Sequence, residues 1–510
     1  MELLILLIVF SVIFLFIFSK LLKLSKSENH DLDLIPGPKK FPVIGNLHLL
    51  VSKSPPHRVF RDLAVKHGGL MRLQLGGVPF LIVSTVEVAR QVLKTHDVVF
   101  ANRPPMHTAT AVTYNYTDIG VAPYGEYWRH LRKICTLELL SGRRVKSFET
   151  IREEVCRNLA ECIASNEGSP VNLSEGVYLS SFDITARAAV GKEAEEKRRM
   201  MVAIKGIIKL GSGLVVADLY PSYRLLPVIT GLNFKIGRLF LQTDRILQGI
   251  INGHKVTKAA AAAAAGGGGG GDDDLVDVLL RCQEDDQAQV RLTDDNIKAV
   301  IMDMFMAGGE SPATPIDWAM SEMVRNPATL KRAQDEVRQV FDDHGSHVDE
   351  EMFHELKYMK LVIKETLRMH PPLPLLVPRQ NSERCEVDGY RIPAKTRVVV
   401  NAWALGRDPG YWADGEEFRP ERFEDSPIDF KGNNLEYIPF GAGRRMCPGM
   451  AFGLANVEFL LAMLLYHFDW ELPNGGKDVE LDMKEDFGAT VRRKHDLLLI
   501  PTLKRPLITS

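Results

Sequence analysis

The stretch FGAGRRMCPG, residues 440–449, places a cysteine, Cys447, in a loop with three glycines. Glycine lets the backbone run close to a flat partner because it has no Cβ atom. Pro448 and Gly449 open an apolar run, residues 450–465, that predicts a helix. Cys447 therefore lies just ahead of a helix N-terminus, where free N–H groups and the helix dipole favour a thiolate. The polar residues around it are arginines, which do not suit a zinc site.

The spacing Phe-x-x-Gly-x-Arg-x-Cys-x-Gly in this stretch resembles the haem-binding signature of the cytochromes P450, the haem-thiolate monooxygenases. By that resemblance Cys447 is the axial ligand of the iron of haem b, and Phe440 and Arg445 belong to the cofactor site. A cysteine thiolate is the axial ligand that favours O–O bond cleavage. The competing interpretation is a buried structural cysteine in a glycine-rich turn.

Composition excludes some functional classes. With 510 residues the chain is long enough for a large core, and its net charge of −2 gives no electrostatic reason to expect nucleic acid as a partner. The six cysteines are scattered without C-x-x-C spacing. This pattern argues against a disulfide framework and against a zinc site, and it suits reduced thiols that face the cytosol.

The N-terminus resembles a membrane segment. Residues 3–18 form an apolar run that is broken only by Ser11 and is followed by lysines. The run is slightly shorter than the roughly 20 residues that span a bilayer, but leucines after it extend it. A cleaved signal peptide is the alternative, although no small-x-small cleavage pattern follows. We expect residues 1–25 to be an uncleaved transmembrane anchor, and the positive-inside rule then leaves the rest of the chain in the cytosol.

Three further segments follow from composition. Residues 26–42 are a predicted linker that ends in the stiff run PGPKKFP, which resembles the proline-rich hinge of microsomal cytochromes P450. By the same resemblance, residues 43–510 are the predicted haem-thiolate catalytic domain. Within it, residues 259–274 consist of alanine, glycine and aspartate runs that cannot build a packed core. We expect this stretch to be a flexible linker.

Glycine-containing turns predict two β-strand regions. Gly76-Gly77 separates an alternating apolar run, residues 71–75, from the apolar residues 80–83, which predicts a β-hairpin. Asp388-Gly389 predicts a second hairpin turn ahead of a strand at residues 397–401. These strands indicate a small β-rich part in a chain whose other patterns are mostly helical.

Residues 101–125 show no clear period and predict a long loop, which in the resembling family covers the substrate pocket. Trp128 and Arg132 follow at i and i+4, on one face of a predicted helix. An indole N–H and a guanidinium on one face suit the two carboxylates of a porphyrin. The pair matches the family's propionate-binding W-x-x-x-R, although amphipathic helices also carry Trp and Arg by chance.

Residues 296–323 predict one helix that contains AGGESP at residues 307–312. The corresponding stretch of the family reads small-Gly-x-acid-Thr-Thr/Ser and runs across the distal face of the haem. By that resemblance Glu310 is the acid that relays protons, and Ser311 is the alcohol of oxygen activation. Serine here replaces the family's usual threonine.

Pro312 and Pro315 depart from the family pattern. A proline inside a helix removes one N–H bond to a carbonyl and costs about 3 kcal/mol unless the helix already bends there. We therefore expect a more broken helix than is usual in the family. Because serine followed by proline favours an N-cap, we also expect the Ser311 hydroxyl to cap the N–H of Ala313 or Thr314.

Two later motifs resemble structural parts of the same family. Glu365 and Arg368 match its E-x-x-R, and the run FRPERF, which contains Arg422, matches its P-E-R-F. The resemblance implies that these three side chains form a buried charge cluster, whereas a solvated surface pair is the default for such spacing. Between the motifs, the proline-rich residues 371–379 are extended. By resemblance their leucines face the substrate, and Arg379 reaches a propionate.

These motifs favour a mainly α fold with a small β-rich lobe, the cytochrome P450 fold, tethered by one N-terminal helix to the endoplasmic reticulum membrane. The residue sequences of these motifs are most similar to those of the plant microsomal A-type clan. The resemblance implies a monooxygenase that takes electrons from NADPH through a flavoprotein reductase and inserts one oxygen atom of O₂ into a small apolar molecule. The candidate docking charges for the reductase are Lys133, Arg143, Arg144 and Arg444.

We expect a terpenoid substrate, because the clan acts on terpenoids, phenylpropanoids and alkaloids and the candidate pocket residues carry few polar groups. These candidates are Leu373, Leu375, Leu376, Val377, Phe487, Ala489 and Thr490.

Two other functions stay open on the sequence. A haem-thiolate isomerase or dehydratase rearranges an oxygenated substrate without O₂ or a reductase, and Pro312 keeps this alternative open. The presence of Glu310 and Ser311 weighs against it. A haem-based sensor or carrier is the non-enzymatic alternative, and the intact oxygen-activation stretch weighs against that one too.

Overall fold

The computed structural model describes residues 30–51, 54–191, 194–211, 215–264, 274–285, 290–473 and 481–507. The predicted membrane anchor, residues 1–25, lies outside this part of the chain, as do residues 265–273 of the predicted linker.

Helices dominate the described part of the chain. The α-helices are α1 (His30–Asp33), α2 (Pro56–His67), α3 (Val86–Arg90), α4 (His107–Val112), α5 (Glu126–Ile134), α6 (Gly142–Ser147), α7 (Glu149–Ala164), α8 (Leu173–Val190), α9 (Ala194–Gly211), α10 (Val216–Leu219), α11 (Leu226–Ile229), α12 (Leu232–Ala264), α13 (Leu275–Glu284), α14 (Asp294–Gly308), α15 (Glu310–Arg325), α16 (Pro327–Asp343), α17 (Lys357–Met369), α18 (Ala402–Leu405) and α19 (Met450–His467). Short 3₁₀ or π segments are Leu47–Val51, Gln91–Thr95, Cys135–Leu139, Glu350–His354, Pro420–Phe423 and Gly443–Arg445.

Four small sheets complete the fold within the described residues. Their strands are β1 (Leu70–Leu75), β2 (Val78–Val83), β3 (Val171–Asn172), β4 (Arg379–Gln380), β5 (Cys385–Val387), β6 (Tyr390–Ile392), β7 (Arg397–Val400), β8 (Phe468–Glu471), β9 (Glu485–Phe487), β10 (Val491–Arg493) and β11 (Leu498–Leu503). The largest sheet has the order β1-β2-β7-β4, in which β2 and β7 run parallel. The others are β3-β11-β8, β5-β6 and β9-β10.

Both predicted hairpins are confirmed. Leu75 pairs with Val78 across the Gly76-Gly77 turn, and Gly76 has a φ of 61°. In the second hairpin, Asp388 and Gly389 have φ of 53° and 75°, so both turn residues are left-handed. A two-residue turn of this kind matches the twist of the strands it joins, and Asp-Gly is one of its preferred sequences.

Helix α19 is the apolar centre of the helical part. It has the length and the hydropathy, a mean of 1.4, of a membrane-spanning helix, and among the described residues only this helix does. Two-thirds of it, 67%, is buried inside the protein, which identifies it as a core helix. The predicted helix from residue 450 is thereby confirmed, and it places Cys447 three residues ahead of its first turn.

Two segments predicted to be irregular contain helix. Helix α4 lies within the predicted loop at residues 101–125. Helix α12 continues through the alanine run to Ala264, because alanine has the highest helix propensity of all residues. At the other end of the predicted linker, Asp274 caps α13 and accepts a hydrogen bond of 2.7 Å from His254 Nε2. Residues 259–264 are therefore helical and Asp274 is a helix cap, and the flexibility expected of residues 259–274 stays a prediction.

The predicted charge cluster is buried, and it connects helix α17 to the loops that follow it in the chain. Arg368 Nε lies 2.7 Å from Glu365 Oε2, and Arg422 Nε lies 2.9 Å from Glu365 Oε1. Arg368 also donates to the carbonyls of Gly406 and Gly415, at 2.6 and 2.7 Å. One carboxylate thus pairs with two guanidinium groups, and the guanidinium groups fix loops without regular structure.

Replacing Glu365 with alanine should remove about 3–5 kcal/mol from the free energy of unfolding, because two buried guanidinium groups lose their counter-charge. Chemical denaturation followed by tryptophan fluorescence measures this loss. Asp335→Ala is the matched control, because Asp335 pairs with Lys331 on an exposed helix face, where such a pair contributes at most about 0.5 kcal/mol. Similar losses in the two variants would contradict the structural role of Glu365.

Candidate active site

The loop at residues 440–449 is closed by its own backbone. Gly443 has a φ of 70°, and a Cβ atom there would lie 2.4 Å from Asp97 Oδ1, so only glycine fits. The N–H of Cys447 donates to the carbonyl of Phe440 at 3.0 Å. The loop therefore presents the Cys447 side chain from a fixed backbone.

The Cys447 side chain is accessible, yet the surrounding protein desolvates its thiol. Burial raises the pKa of this thiol, whereas the N–H of Gly449 and the charge of Arg132 lower it. A thiol that has both free surface and a desolvated setting lies in a recess, not at the open surface. Such a recess is where a group ligated by Cys447 would fit.

Four arginines converge near this loop, namely Arg103, Arg132, Arg379 and Arg445. Burial, together with the charges of Arg379 and Arg132, lowers the pKa of Arg445 to about 10. Burial also lowers the pKa of Arg103, and the charges of Arg379 and Arg445 act in the same direction. Asp97, 3.4 Å from Arg379, balances part of this charge. Guanidinium groups that lower one another's pKa suit an added dianion such as the two carboxylates of haem b.

The arginines are held in place by backbone carbonyls. Arg445 Nε donates to the carbonyl of Ala101 at 2.7 Å, and its guanidinium lies 4.2 Å from the ring of Trp128. Arg379 Nη2 donates to the carbonyl of Ala442 at 2.7 Å, within the cysteine loop. The structure thus brings Arg379 and Arg445, which are 66 positions apart in the numbering, to the same loop.

The two residues of the W-x-x-x-R motif also bond to the protein. Trp128 is buried, and its Nε1–H donates to the carbonyl of Ile119 at 3.0 Å. Arg132 Nη2 donates to the carbonyl of Met446 at 2.6 Å, next to Cys447. The single N–H of the Trp128 indole is therefore already engaged within the protein. A direct hydrogen bond from this N–H to a cofactor carboxylate stays a prediction.

The predicted helix over residues 296–323 consists of two helices, α14 and α15, that meet at Gly309. Gly309 keeps helical angles, with φ of −81° and ψ of −53°. Pro312 cannot donate to the carbonyl of Gly308. That carbonyl instead accepts a hydrogen bond of 2.7 Å from Oγ1 of Thr185 on α8. The expected break is therefore confined to one residue, and a threonine from another helix compensates it.

The hydroxyl of Ser311 donates to the carbonyl of Ala307, four residues earlier. Helix α15 begins at Glu310, ahead of Ser311, and has no side-chain cap, so the expectation that this hydroxyl caps Ala313 or Thr314 is wrong. Because Gly309 keeps helical angles, Ser311 lies inside a helical turn, where serine commonly bonds to the carbonyl four positions back. A hydroxyl has one hydrogen and two lone pairs, so Ser311 Oγ can still accept a hydrogen bond.

Glu310 is buried and bonds to the hairpin of β9 and β10. Its Oε1 accepts a hydrogen bond of 2.7 Å from Thr490 Oγ1 and lies 2.9 Å from Arg492 Nε. The Arg492 side chain is 53% exposed, and the Glu310 side chain 7%. Sequence reasoning placed Thr490 among the pocket residues and missed Arg492. No local pattern marks Arg492, because only the docking of the hairpin on α15 brings it to Glu310.

The other predicted pocket residues lie on two segments that the structure joins. The N–H of Val491 donates to the carbonyl of Pro372 at 2.9 Å, which connects the hairpin to residues 371–379. On that segment the four aliphatic candidates are half-buried, namely Leu373, Leu375, Leu376 and Val377. On the hairpin, Phe487 and Ala489 are exposed. Their contact with a substrate stays a prediction.

Known proteins share this architecture. A family model described as Cytochrome P450 matches residues 35–499. The chain is 52% identical over 483 residues to desmethyl-deoxy-podophyllotoxin synthase of Sinopodophyllum hexandrum, which covers 95% of this chain and 94% of that protein. It is 48% identical to germacrene A hydroxylase of Barnadesia spinosa over 96% of each protein. A solved zebra fish cytochrome P450 with progesterone is 24% identical and has the same fold, with a TM-score of 0.76 over 89% of this chain and 100% of that one.

Replacing Thr185 with valine keeps the side-chain shape but removes the closer of two hydroxyl donors to the Gly308 carbonyl, since Ser181 Oγ lies 3.5 Å from the same oxygen. We expect it to lower the free energy of unfolding by about 1–2 kcal/mol, because a partly buried acceptor keeps only a long hydrogen bond. In a Pro312→Ser background the new N–H can bind the same carbonyl, so Thr185→Val should lower the free energy of unfolding by less than it does in the wild type. Chemical denaturation of wild type, both single variants and the double variant measures the difference. Equal costs in both backgrounds would show that Thr185 does not compensate the proline.

Proposed function

The chain belongs to the cytochrome P450 family, and from that premise we propose that it oxidises an apolar terpenoid at the endoplasmic reticulum membrane. As a member of this family it is a monooxygenase that binds haem b and takes electrons from NADPH through a reductase. The observation that carries the proposal is the accessible, desolvated thiol of Cys447 beside buried arginines.

Cys447 is the proposed iron ligand. Its recess leaves room for the cofactor, and the N–H of Gly449 and the charge of Arg132 favour the thiolate form that ligation requires. When bound, the haem supplies the oxidising chemistry that transfers one oxygen atom of O₂ to the substrate.

Arg132, Arg379 and Arg445 are proposed to hold the cofactor carboxylates, and Phe440 and Trp128 to pack beside the cofactor. The support is that these guanidinium groups lie close enough to lower one another's pKa. Arg103 joins them in this structure, although no motif in the sequence pointed to it. Because each is already anchored to a backbone carbonyl, the cations are oriented before an anion binds.

Glu310 and Ser311 are proposed to deliver protons to the distal side. Arg492 is half-exposed and bonds to the buried Glu310 carboxylate, which supports a path for protons from solvent to that carboxylate. The Ser311 hydroxyl can accept a hydrogen bond while it donates to Ala307. A relay group must accept and donate in turn, and both residues have this capacity.

A terpenoid is the proposed substrate class. The candidate pocket segments present aliphatic side chains, among them Leu373, Leu375 and Val377, which favour an apolar ligand over a charged one. Germacrene A hydroxylase, a relative with 48% identity, is named for a terpenoid. The isomerase alternative loses support because Glu310 and Ser311 are in place and Thr185 offsets the loss of the hydrogen bond at Pro312.

Membrane contact is supported by two observations. Residues 3–18 have the composition of a membrane anchor. Around helices α11 and α12, Leu225, Ile229 and Phe234 expose 70%, 77% and 76% of their surface, which is unusual for large apolar side chains that lie close together in sequence. We propose that both regions face the bilayer.

The reductase is proposed to dock near the cysteine loop. A crevice there is lined by basic side chains, including Arg129, Lys133 and Arg444, together with Arg132, which reaches the residue before Cys447. Positive charge around an electron-entry point favours an acidic flavoprotein surface.

Replacing Cys447 with histidine should abolish thiolate ligation. The reduced, CO-bound wild-type protein is expected to show the red-shifted Soret band of a thiolate-ligated haem, and Cys447→His is expected to lose it. Cys162→His, on an exposed helix end, is the matched control and should keep the band. A wild-type-like spectrum in Cys447→His would end the proposal for this ligand.

Incubation with a panel of terpenes, germacrene A included, tests the substrate class. With reductase, NADPH and ¹⁸O₂, we expect a product that is heavier by one labelled oxygen atom and that does not form when NADPH is omitted. Product formation without NADPH would favour the isomerase. Labelled products from phenylpropanoids or alkaloids, but from no terpene, would refute the terpenoid class and leave the monooxygenase intact.

A further inference from the structure

Two carboxylic acids outside the oxygen-activation stretch, Asp118 and Asp303, meet at one tight turn. Asp303 Oδ2 accepts the N–H of Ile119 at 2.7 Å and that of Gly120 at 3.1 Å. Both carboxylate oxygens of Asp118 lie 3.2 Å from the N–H nitrogen of Val121. The two carboxyl groups also lie against the same residue, because a Cβ atom at Gly120 would be 3.2 Å from Asp303 Oδ1 and 3.3 Å from Asp118 Oδ2.

The carbonyls of the same turn bind the cationic side of the site. Ile119 accepts the indole N–H of Trp128 at 3.0 Å, and Ala122 accepts a hydrogen bond from Arg445 Nη2. The peptide units of residues 119–122 therefore connect the two acids to the side chains proposed to hold the cofactor carboxylates.

Asp303 lies on a helix face that also carries the distal residues. Asp303, Ala307 and Ser311 are spaced i, i+4 and i+8 along α14 and α15, so they share one face. Ala307 is exposed and Asp303 and Ser311 are half-buried, which indicates that this face borders open space. The turn that Asp303 holds is thus attached to the side of α14 that faces the pocket.

Two carboxyl groups that meet at one residue favour a single shared proton, because their two negative charges repel each other. Burial raises the pKa of Asp303 well above its usual range, with the charge of Asp118 as the next cause, and burial raises the pKa of Asp118 to about 6. The pKa of Asp303 is the higher of the two, so the shared proton resides on one oxygen of Asp303. The other oxygen of Asp303 stays free to accept two backbone N–H groups.

We propose that Asp118 and Asp303 are positioning residues that share one proton and latch the loop of residues 113–125 onto the pocket-facing side of α14, and that the latch loosens when this proton leaves. Loss of the proton puts two negative charges in contact with no hydrogen between them. The loop is then held less tightly over the pocket.

The direction of the pH dependence follows from linkage. The latched state raises the pKa of Asp303, so it binds more protons than the released state, in which both acids ionise in water. Latching is therefore strongest at low pH and weakens as pH rises towards the pKa of Asp303. One proton corresponds to a change of at most roughly tenfold in the opening equilibrium per pH unit.

The other ionisable groups around the pair do not reverse this direction. Arg103 and Arg445 favour the ionised form of Asp118, which leaves the shared proton on Asp303. Tyr127 and Cys135 interact with the acids, and burial raises the pKa of each, so both stay neutral over the range in which proteins are studied.

Amide hydrogen exchange on the full-length, haem-loaded protein in lipid nanodiscs tests the latch between pH 6 and 9. After correction for the intrinsic pH dependence of exchange, we expect the opening of residues 113–125 to increase with pH by up to tenfold per unit. In Asp303→Asn the amide donates to Asp118 and the amide oxygen accepts the N–H groups at every pH, so opening should become independent of pH. Haem content per protein confirms that each variant is folded.

Glu126→Gln is the matched control, because Glu126 is an exposed acid at the start of α5, next to the same loop, and it should keep the wild-type pH dependence. Asp118→Asn should behave as Asp303→Asn, which keeps the test valid if one variant does not fold. The latch would be overturned if the corrected opening of residues 113–125 in the wild type did not change with pH. It would also be overturned if this opening kept the wild-type pH dependence in Asp303→Asn. Neither result depends on the identity of the substrate.

Discussion

Buried guanidinium groups determine how the irregular parts of this protein are arranged. A guanidinium carries five N–H donors in a rigid plane, so burying one requires acceptors from several chain segments at once. Arg368 takes them from Glu365 and from the loop that contains Gly406. Arg445 takes them from the backbone that includes Ala101 and Ile119. Loops that no helix or strand would fix are thereby held in one conformation around the cysteine loop.

The local features of the fold could be predicted because their causes are local. Glycine at positive φ marks the two hairpins, and proline with glycine marks the start of α19. The cysteine loop and the charge cluster could be predicted because their motifs resemble those of the cytochromes P450, whereas the spacing of Glu365 and Arg368 alone favours a solvated pair. The bond between Thr185 and Gly308 could not, because it joins residues 123 positions apart and depends on how α8 docks against α14. The same holds for Arg492 at Glu310, which is brought there by a hairpin that itself has weak strand signals.

Some of the missed features left a signal in the sequence without naming the partner. Asp303 interrupts the apolar run VIMDMFMAG, and a buried acid needs hydrogen bonds to offset its desolvation. Because Pro312 has no N–H, the carbonyl of Gly308 needs another donor. In both cases the sequence indicates that a partner is required. Tertiary packing determines that these partners are Asp118 for Asp303 and Thr185 for the Gly308 carbonyl. The alanine run before Ala264 is the opposite case, in which helix propensity outweighed a composition typical of linkers.

The turn at residues 119–122 makes the two sides of the site depend on each other. Its N–H groups are satisfied by Asp118 and Asp303, and its carbonyls by Trp128 and Arg445. Hydrogen bonds on the two sides of one peptide group strengthen each other through polarisation, and loss of either leaves a buried polar group without a partner. Because Arg445 is oriented by the carbonyls of this turn, the acids that hold the N–H groups of the same turn also help to fix the position of a cation proposed to bind the cofactor. The peptide units of residues 119–122 thus connect the proposed acid pair with the proposed carboxylate site.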